Sequence, residues 1–315
     1  MNIKNYNFLY CFDSGYDLQT YISIISLSEE LKGFNINIYI IHKSPETFYK
    51  YKSSLQDIDN IVNIELFKFN RDISNYPNLK NKHVSEATYY RIFISEYLPK
   101  NLEEIIYLDS DVFCINNSNQ MIDNIFNELK ESNKIISVHT EIIKKSKNHD
   151  LFKNLEMQNK KYFNAGVMFI DYQKWIKSVH IESLLEYVQT YKDKIIFWDQ
   201  DILNKYFDGE YTELDKSLNY TMEEHLSLDT LRKKAYFIHF SGNHKPWTIE
   251  GGVEKSSKIY FDYYQKLEEN YYHFVLKSSK INSATSLVKS IFNLKIFNTR
   301  YPLKYLLEGI RSILQ

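Results

Sequence analysis

Three strand-length apolar runs alternate with two helical segments in the first seventy residues, and this alternation narrows the fold more than any other feature. Residues 7–12 (NFLYCF) read as a buried strand that Asp13-Ser14-Gly15 interrupts. Asp17 stands where a helix cap is wanted, and Ile22, Ile25, Leu27 and Leu31 give an apolar face of helical spacing before Gly33 ends it. In NINIYIIHK, Ile36, Ile38 and Ile40 alternate with Asn37 and Tyr39, the period of a strand. Ser44-Pro45 opens a second helix, and residues 61–67 read as a third strand. The order implies an α/β fold, a mainly parallel central sheet flanked by helices with right-handed crossovers.

Further along, residues 70–82 are polar and turn-rich, a loop. Residues 85–98 read as a helix, followed by a strand that ends at Asp109, with more strands expected at 134–139, 166–171 and 235–240. Ligands of open α/β sheets collect beyond the carboxyl ends of the strands. Asp13, Asp109, Asp111, His139 and His239 all fall at such ends.

Within IIYLDSDVFCIN, Asp109 and Asp111 are one residue apart. Strand residues at that spacing share a side, which would crowd both carboxylates into one spot. Like charges that close need a cation or cationic side chains between them. Alone, the pair fits a divalent metal site, an aspartyl-phosphate enzyme or a turn cap. Three later segments add to it. In FNAGVMFIDYQKW, Gly166 implies close backbone approach and Asn164 offers an amide. WDQDILN supplies Asp199, Gln200 and Asp201. In IHFSGNHKPW, His239 leaves a strand, Gly242 makes a turn, and Lys245 is a point charge suited to phosphate.

These segments, with SEATYYRIFISEYLP before them, resemble in order and spacing the glycogenin-like and lipopolysaccharide-galactosyltransferase-like family of retaining glycosyltransferases, family 8, over roughly residues 7–265. The resemblance implies a GT-A (Rossmann-like) fold, a UDP-hexose donor, Mn²⁺ with Mg²⁺ as a substitute, and retention of anomeric configuration. Carried onto this chain, it makes Asp109, Asp111 and His239 metal ligands, an O/N set that suits Mn²⁺. Lys245 would meet the diphosphate, with Gly242 letting its loop approach. Asp13 would read the uracil edge and Tyr16 stack on the ring, while Gly15 stands where some relatives have Asn. Arg91, Asn164, Asp199 and Gln200 would contact the donor sugar, Asp199 and Gln200 as catalytic residues. His244 is expected at the loop surface, outside the ligand set, and Asp201 either caps a helix or joins the site. An amide is a poor nucleophile, so the expected route is front-face, with Gln200 orienting or stabilising the developing cation. Residues 70–82 and the segment after Trp247 are the expected lid.

The chain's end differs in charge. Residues 271–315 carry Lys277, Lys280, Lys289, Lys295, Arg300, Lys304 and Arg311 against Glu308 alone. That net +6, within a total of −1, leaves −7 on the first 270 residues. Leucines, isoleucines and phenylalanines lie between the cations. The expected division is a catalytic domain over 1–265 and a basic amphipathic helical appendage over 266–315, suited to an anionic membrane surface or docked on the domain. No run of about 18 apolar residues or signal-peptide pattern occurs, and Cys11 and Cys114 read as buried reduced thiols. The net charge carries no nucleic-acid signature. The expected protein is cytoplasmic, peripheral on the inner membrane face, and transfers glucose or galactose to a glycan or lipid-linked oligosaccharide. The alternatives are a binding-only homologue and an aspartyl-phosphate phosphohydrolase.

Overall fold

The computed structural model describes residues 3–77, 85–141, 151–222, 226–242, 245–268, 270–276 and 279–315. Its strands are β1 (Asn5–Phe12), β2 (Asn35–His42), β3 (Ile61–Lys68), β4 (Glu104–Leu108), β5 (Val112–Cys114), β6 (Ile136–Thr140), β7 (Phe163–Asp171), β8 (Thr212–Glu213), β9 (Tyr220–Thr221) and β10 (Phe237–His239). Seven form the main sheet in the order β3-β2-β1-β4-β7-β6-β8, and β5, β10 and β9 form a second, smaller sheet. Strand β7 alone runs against its neighbours β4 and β6; the other pairs of the main sheet are parallel. This is the expected mainly parallel α/β architecture, with one strand reversed.

Alternation along the strands sends side chains to both faces. Tyr6, Phe8, Tyr10 and Phe12 enter one apolar cluster with the helix Asp17–Glu30, while Leu9 and Cys11 enter the other with Tyr90, Ile105 and Tyr107. A sheet covered on both faces explains why β1 and β2 are apolar nearly throughout. Cys11 and Cys114 are buried free thiols.

Several local expectations change. Strand β4 stops at Leu108, and Asp109-Ser110-Asp111 is a turn closed by the Val112 N–H on Asp109 O (3.0 Å). The 85–98 segment is a 3₁₀ helix, Glu86–Phe93, continued by the α-turn Ile94–Tyr97. Its tighter spacing stacks Ala87, Tyr90 and Phe93, all buried, on one side. Among the described residues Asp17 makes no side-chain cap: its carboxylate faces His42 Nε2 (3.1 Å), and Asp13 accepts the Gly15 N–H (2.9 Å) to cap the short turn Ser14–Tyr16. The strand expected at 235–240 is β10, and it belongs to the second sheet.

Two helices, Lys280–Phe292 and Pro302–Leu314, close the chain. Leu287, Ile296 and Tyr305 are buried in the same cluster as β1, and the Tyr305 hydroxyl donates to Ile249 O. The remaining faces are apolar and open: Ile281, Phe292, Leu303 and Leu314 are 78, 80, 76 and 78% exposed. No described helix is long and apolar enough to cross a membrane.

Candidate active site

Strand β4 lies between β1 and β7, so its end delivers the 109–111 turn to the centre of the sheet's carboxyl edge. Strand β10 pairs antiparallel with β5, setting His239 opposite Val112, and the Phe240 N–H donates to Asp111 O (3.0 Å). Helix Asp17–Glu30 pins the turn with hydroxyls. Thr20 donates to Ser110 Oγ (2.7 Å), Ser23 donates to Val112 O (2.6 Å), and Ser26 accepts the Cys114 N–H (2.9 Å). One ligand atom each from Asp109, Asp111 and His239 lies within 4.8 Å of the others. The crowding expected from strand alternation is therefore real, but a turn and a second sheet produce it.

Each carboxylate is neutralised on its outer oxygen. Arg91 Nη1 (3.3 Å) and the Tyr107 hydroxyl (2.6 Å) donate to Asp109 Oδ1. The Lys245 ammonium donates to Asp111 Oδ2 and to Phe240 O (2.6 Å). The inner atoms remain: His239 Nε2 lies 3.3 Å from Asp111 Oδ1 and 3.9 Å from Asp109 Oδ2. Asp111 Oδ1 is buried, and no hydrogen bond aligns on it. Burying such an oxygen is costly without a partner. Burial by itself would raise the Asp111 carboxyl, but the Lys245 ammonium holds it well below the ordinary carboxylate range, so it is an anion. Two carboxylate oxygens and an imidazole nitrogen converging on one spot fit a divalent cation of Mn²⁺ or Mg²⁺ type.

Gly166 forms the floor. A Cβ there would stand 2.3 Å from His239 Cε1 and 2.9 Å from Asp109 Oδ2, so the close approach implied by this glycine is to the ligand side chains. Asn164 lies behind them: its Oδ1 accepts from the Gly166 N–H (2.9 Å) and Asn219 Nδ2 (3.0 Å), and its Nδ2 donates to Glu141 Oε1 (2.7 Å).

Arg91 is 4% exposed, far from a surface charge. Its Nη1 donates to Ala165 O (2.6 Å), its Nε and Nη2 donate to Asp199, and its guanidinium lies 4.7 Å from the Tyr107 ring centroid. Burial pushes the Asp199 carboxyl up to about 6, against the pull of Arg91. Gln200 Oε1 accepts the Ala165 N–H (3.0 Å), and its Nε2 donates to the Tyr162 hydroxyl (3.2 Å). Tyr162 in turn donates to Asp201 Oδ1 (2.5 Å). Asp201 Oδ2 takes the N–H groups of Ile196 (2.6 Å) and Phe197 (3.0 Å), so this carboxylate secures the start of helix Trp198–Phe207.

At the other end, Ser85 donates to Asp13 Oδ2. The Tyr16 ring meets Trp247 edge-on at 6.1 Å. Burial, then the charges of Asp111, Asp13 and Asp109, holds the Tyr16 phenol well above its usual range. Gly242 has φ +81°, open to glycine at little cost, and nothing lies within 4 Å of a Cβ placed there. His139 joins nothing here: its Nδ1 faces Leu214 O (3.1 Å) and Glu213 Oε1 (3.2 Å). His244 and residues 78–82 of the expected lid lie outside the described residues. Sequence reasoning missed Asn219, Tyr107 and the Thr20–Ser23–Ser26 row, all of which touch the site elements. The only signal for Asn219 was a lone amide between Leu218 and Tyr220.

The sequence profile described as Glycosyl transferase family 8 matches residues 7–251. General stress protein A of Bacillus subtilis is 25% identical over 54% of this chain and 62% of its own length. The lipopolysaccharide 1,2-glucosyltransferase of Escherichia coli K12 is 25% identical over 76% of this chain and 72% of its own. For the lipopolysaccharide 1,3-galactosyltransferase of Salmonella typhimurium the figures are 24%, 80% and 75%. The solved galactosyltransferase LgtC, held with donor and acceptor sugar analogs, superposes with a TM-score of 0.69 at 21% identity, covering 82% of this chain and 95% of that one. That likeness is one of fold.

Proposed function

The chain belongs to glycosyl transferase family 8 and has its GT-A fold, and from that premise we propose a retaining, Mn²⁺-dependent transferase that moves glucose or galactose from a UDP-sugar to a hydroxyl of a surface glycan. The observation that carries the proposal is the convergence of Asp109 Oδ2, Asp111 Oδ1 and His239 Nε2, with Asp111 Oδ1 buried and without a hydrogen bond. These atoms would hold the metal, which when bound supplies Lewis acidity at the diphosphate leaving group. Lys245, beside Asp111, would lend its ammonium to the same diphosphate, with Gly242 admitting the loop. Asp13 would accept from the uracil edge and Tyr16, braced by Trp247, would stack on the ring.

Arg91 and Asp199, locked together, would present Asp199 to the sugar hydroxyls, and Asn164 and Gln200 would complete the sugar subsite. Because a backbone N–H fills one side of Gln200 Oε1 and no base adjoins it, Gln200 suits orientation better than attack. The C1–phosphate bond would break and the C1–acceptor bond form on the same face. The acceptor proton would pass to the released phosphate oxygen, so no side-chain base is needed. An aspartyl-phosphate reading would leave the WDQDILN and IHFSGNHKPW segments without a role.

The test is UDP release from a panel of UDP-sugars with Mn²⁺, Mg²⁺ or chelator. Release from one hexose donor, lost with chelator, is expected; failure to bind UDP at all would sink the proposal. Tight UDP binding with no release, glycan acceptors present, would instead establish a binding-only protein. Asp199 acts here as an anion, so turnover should rise with pH through about 6. The native carboxyl titrates above the unfolded value of ~3.9, so its contribution to stability is full below that value and is lost as pH rises through about 6. A rate that falls over that interval would remove Asp199 from this role.

We further propose that residues 266–315 attach a catalytic unit over 1–265 to the inner face of an anionic membrane, where a lipid-linked oligosaccharide acceptor would lie. The support is that Ile281, Phe292, Leu303, Leu307 and Leu314 are exposed among Lys280, Lys289 and Lys304, while Leu287, Ile296 and Tyr305 dock inward. Vesicles with anionic lipid should bind the protein, and F292S with L303S should weaken that binding on the order of tenfold or more. Equal binding to zwitterionic vesicles, or none, would end the membrane reading.

A further inference from the structure

Behind His239 runs a chain of side-chain amides whose donor and acceptor order is determinate. Glu141, as a carboxylate, can only accept, so the group of Asn164 facing its Oε1 (2.7 Å) must be the NH₂. Independently, the Gly166 N–H can only donate, so the atom of Asn164 facing it (2.9 Å) must be the oxygen. Both ends therefore set the same orientation of Asn164. That oxygen also faces Asn219 (3.0 Å), which must offer its own NH₂. Asn219 then has only its oxygen left for His239, 2.9 Å away, and the ring must answer with a proton on Nδ1. Only Nε2 can carry a lone pair, and Nε2 is the atom aimed at the inner oxygens of Asp109 and Asp111.

We propose that Asn219, oriented through Asn164 from Glu141, is a positioning residue that assigns the His239 tautomer and so prepares Nε2 as a metal ligand. This rests on the metal reading of the Asp109–Asp111–His239 cluster. Asn219 is fully buried, with both ends of its amide used. It precedes β9, whose pairing with β10 sets Thr221 beside His239, so backbone and side chain fasten the ring together. The neutral ring presents a lone pair to two carboxylate oxygens, a repulsive arrangement until a cation lies between them. A ligand's partner at its remote nitrogen typically contributes 10–100-fold in metal affinity.

Two measurements on the full chain test this. Nitrogen-15 NMR of metal-free wild type at about pH 8, where an ordinary imidazole is neutral, should report His239 protonated on Nδ1. A neutral ring protonated on Nε2 would overturn the proposal. Mn²⁺ titration followed by electron paramagnetic resonance should show N219L weakened ~10–100-fold, with N219D, which keeps the acceptor, recovering much of the loss. UDP affinity measured without metal should not move in either variant. Unchanged Mn²⁺ affinity in folded N219L would overturn the relay. Wild type that binds no Mn²⁺ yet has the Nδ1 proton would overturn the metal reading instead.

Discussion

Substituting Ala for Gly166 is expected to abolish metal-dependent turnover while the main sheet still folds. The new methyl would lie 2.3 Å from His239 Cε1 and 2.9 Å from both His239 Nδ1 and Asp109 Oδ2, inside any tolerable contact. Neither side can yield cheaply. The Gly166 carbonyl accepts the Asp109 N–H (2.8 Å) and its N–H is held by Asn164, so the strand is fixed at this residue. His239 is fixed by β5, β9 and Asn219, and Asp109 by Arg91 and Tyr107. The ring must rotate away, losing Asn219 and its aim at the carboxylates together. Overpacking of this kind costs about 1–3 kcal/mol of stability. Losing a protein ligand should cost more in metal affinity than the ~10–100-fold typical of an outer partner. Mn²⁺ titration and thermal unfolding of G166A, with G166S beside it, measure both. Near-wild-type Mn²⁺ affinity in folded G166A would show that the site lies elsewhere.

The second large effect separates the two aspartates by stability. D111N removes the charge that the buried Lys245 ammonium faces, leaving a cation with only Phe240 O. Breaking a buried pair on one side typically costs about 3–5 kcal/mol. D109N is milder, because Asp109 is 29% exposed at its side chain and Arg91 keeps Asp199. Both variants should lose Mn²⁺ binding and UDP release, but only D111N should unfold markedly earlier in denaturant. Adding K245M to D111N should restore part of the stability, since the orphaned charge leaves with the lysine. Equal stability losses for D109N and D111N would mean that Lys245 is not committed to Asp111.

How much of this was legible in the sequence differs by level. That Asp109, Asp111 and His239 converge was legible because strand ends in α/β sheets gather ligands. Gly166 was legible as a close approach, without its object. The reason given for the carboxylate pair was wrong in detail: a turn after Leu108, not strand alternation, brings them together. Asp17 had the position of a cap, but His42 arrives from β2 with a buried nitrogen to satisfy, and that bond is long-range. Arg91 was legible only through the resemblance, since no local pattern marks an arginine in the 85–98 segment as buried. Asp199, 108 residues away, draws it inside, where neither charge is stable without the other.

Taken alone, the chain determined what depends on neighbours in sequence: apolar periods, breakers, the parallel α/β order and the chemistry of each motif. Tertiary structure alone decided which oxygen of each aspartate is spent and which is left. That choice depends on Arg91, Tyr107 and Lys245, as the ring atom left open on His239 depends on Asn219, and the four come from separate segments. A buried polar atom is satisfied by whatever lies within about 3 Å, at any separation along the chain, and no local pattern records that distance.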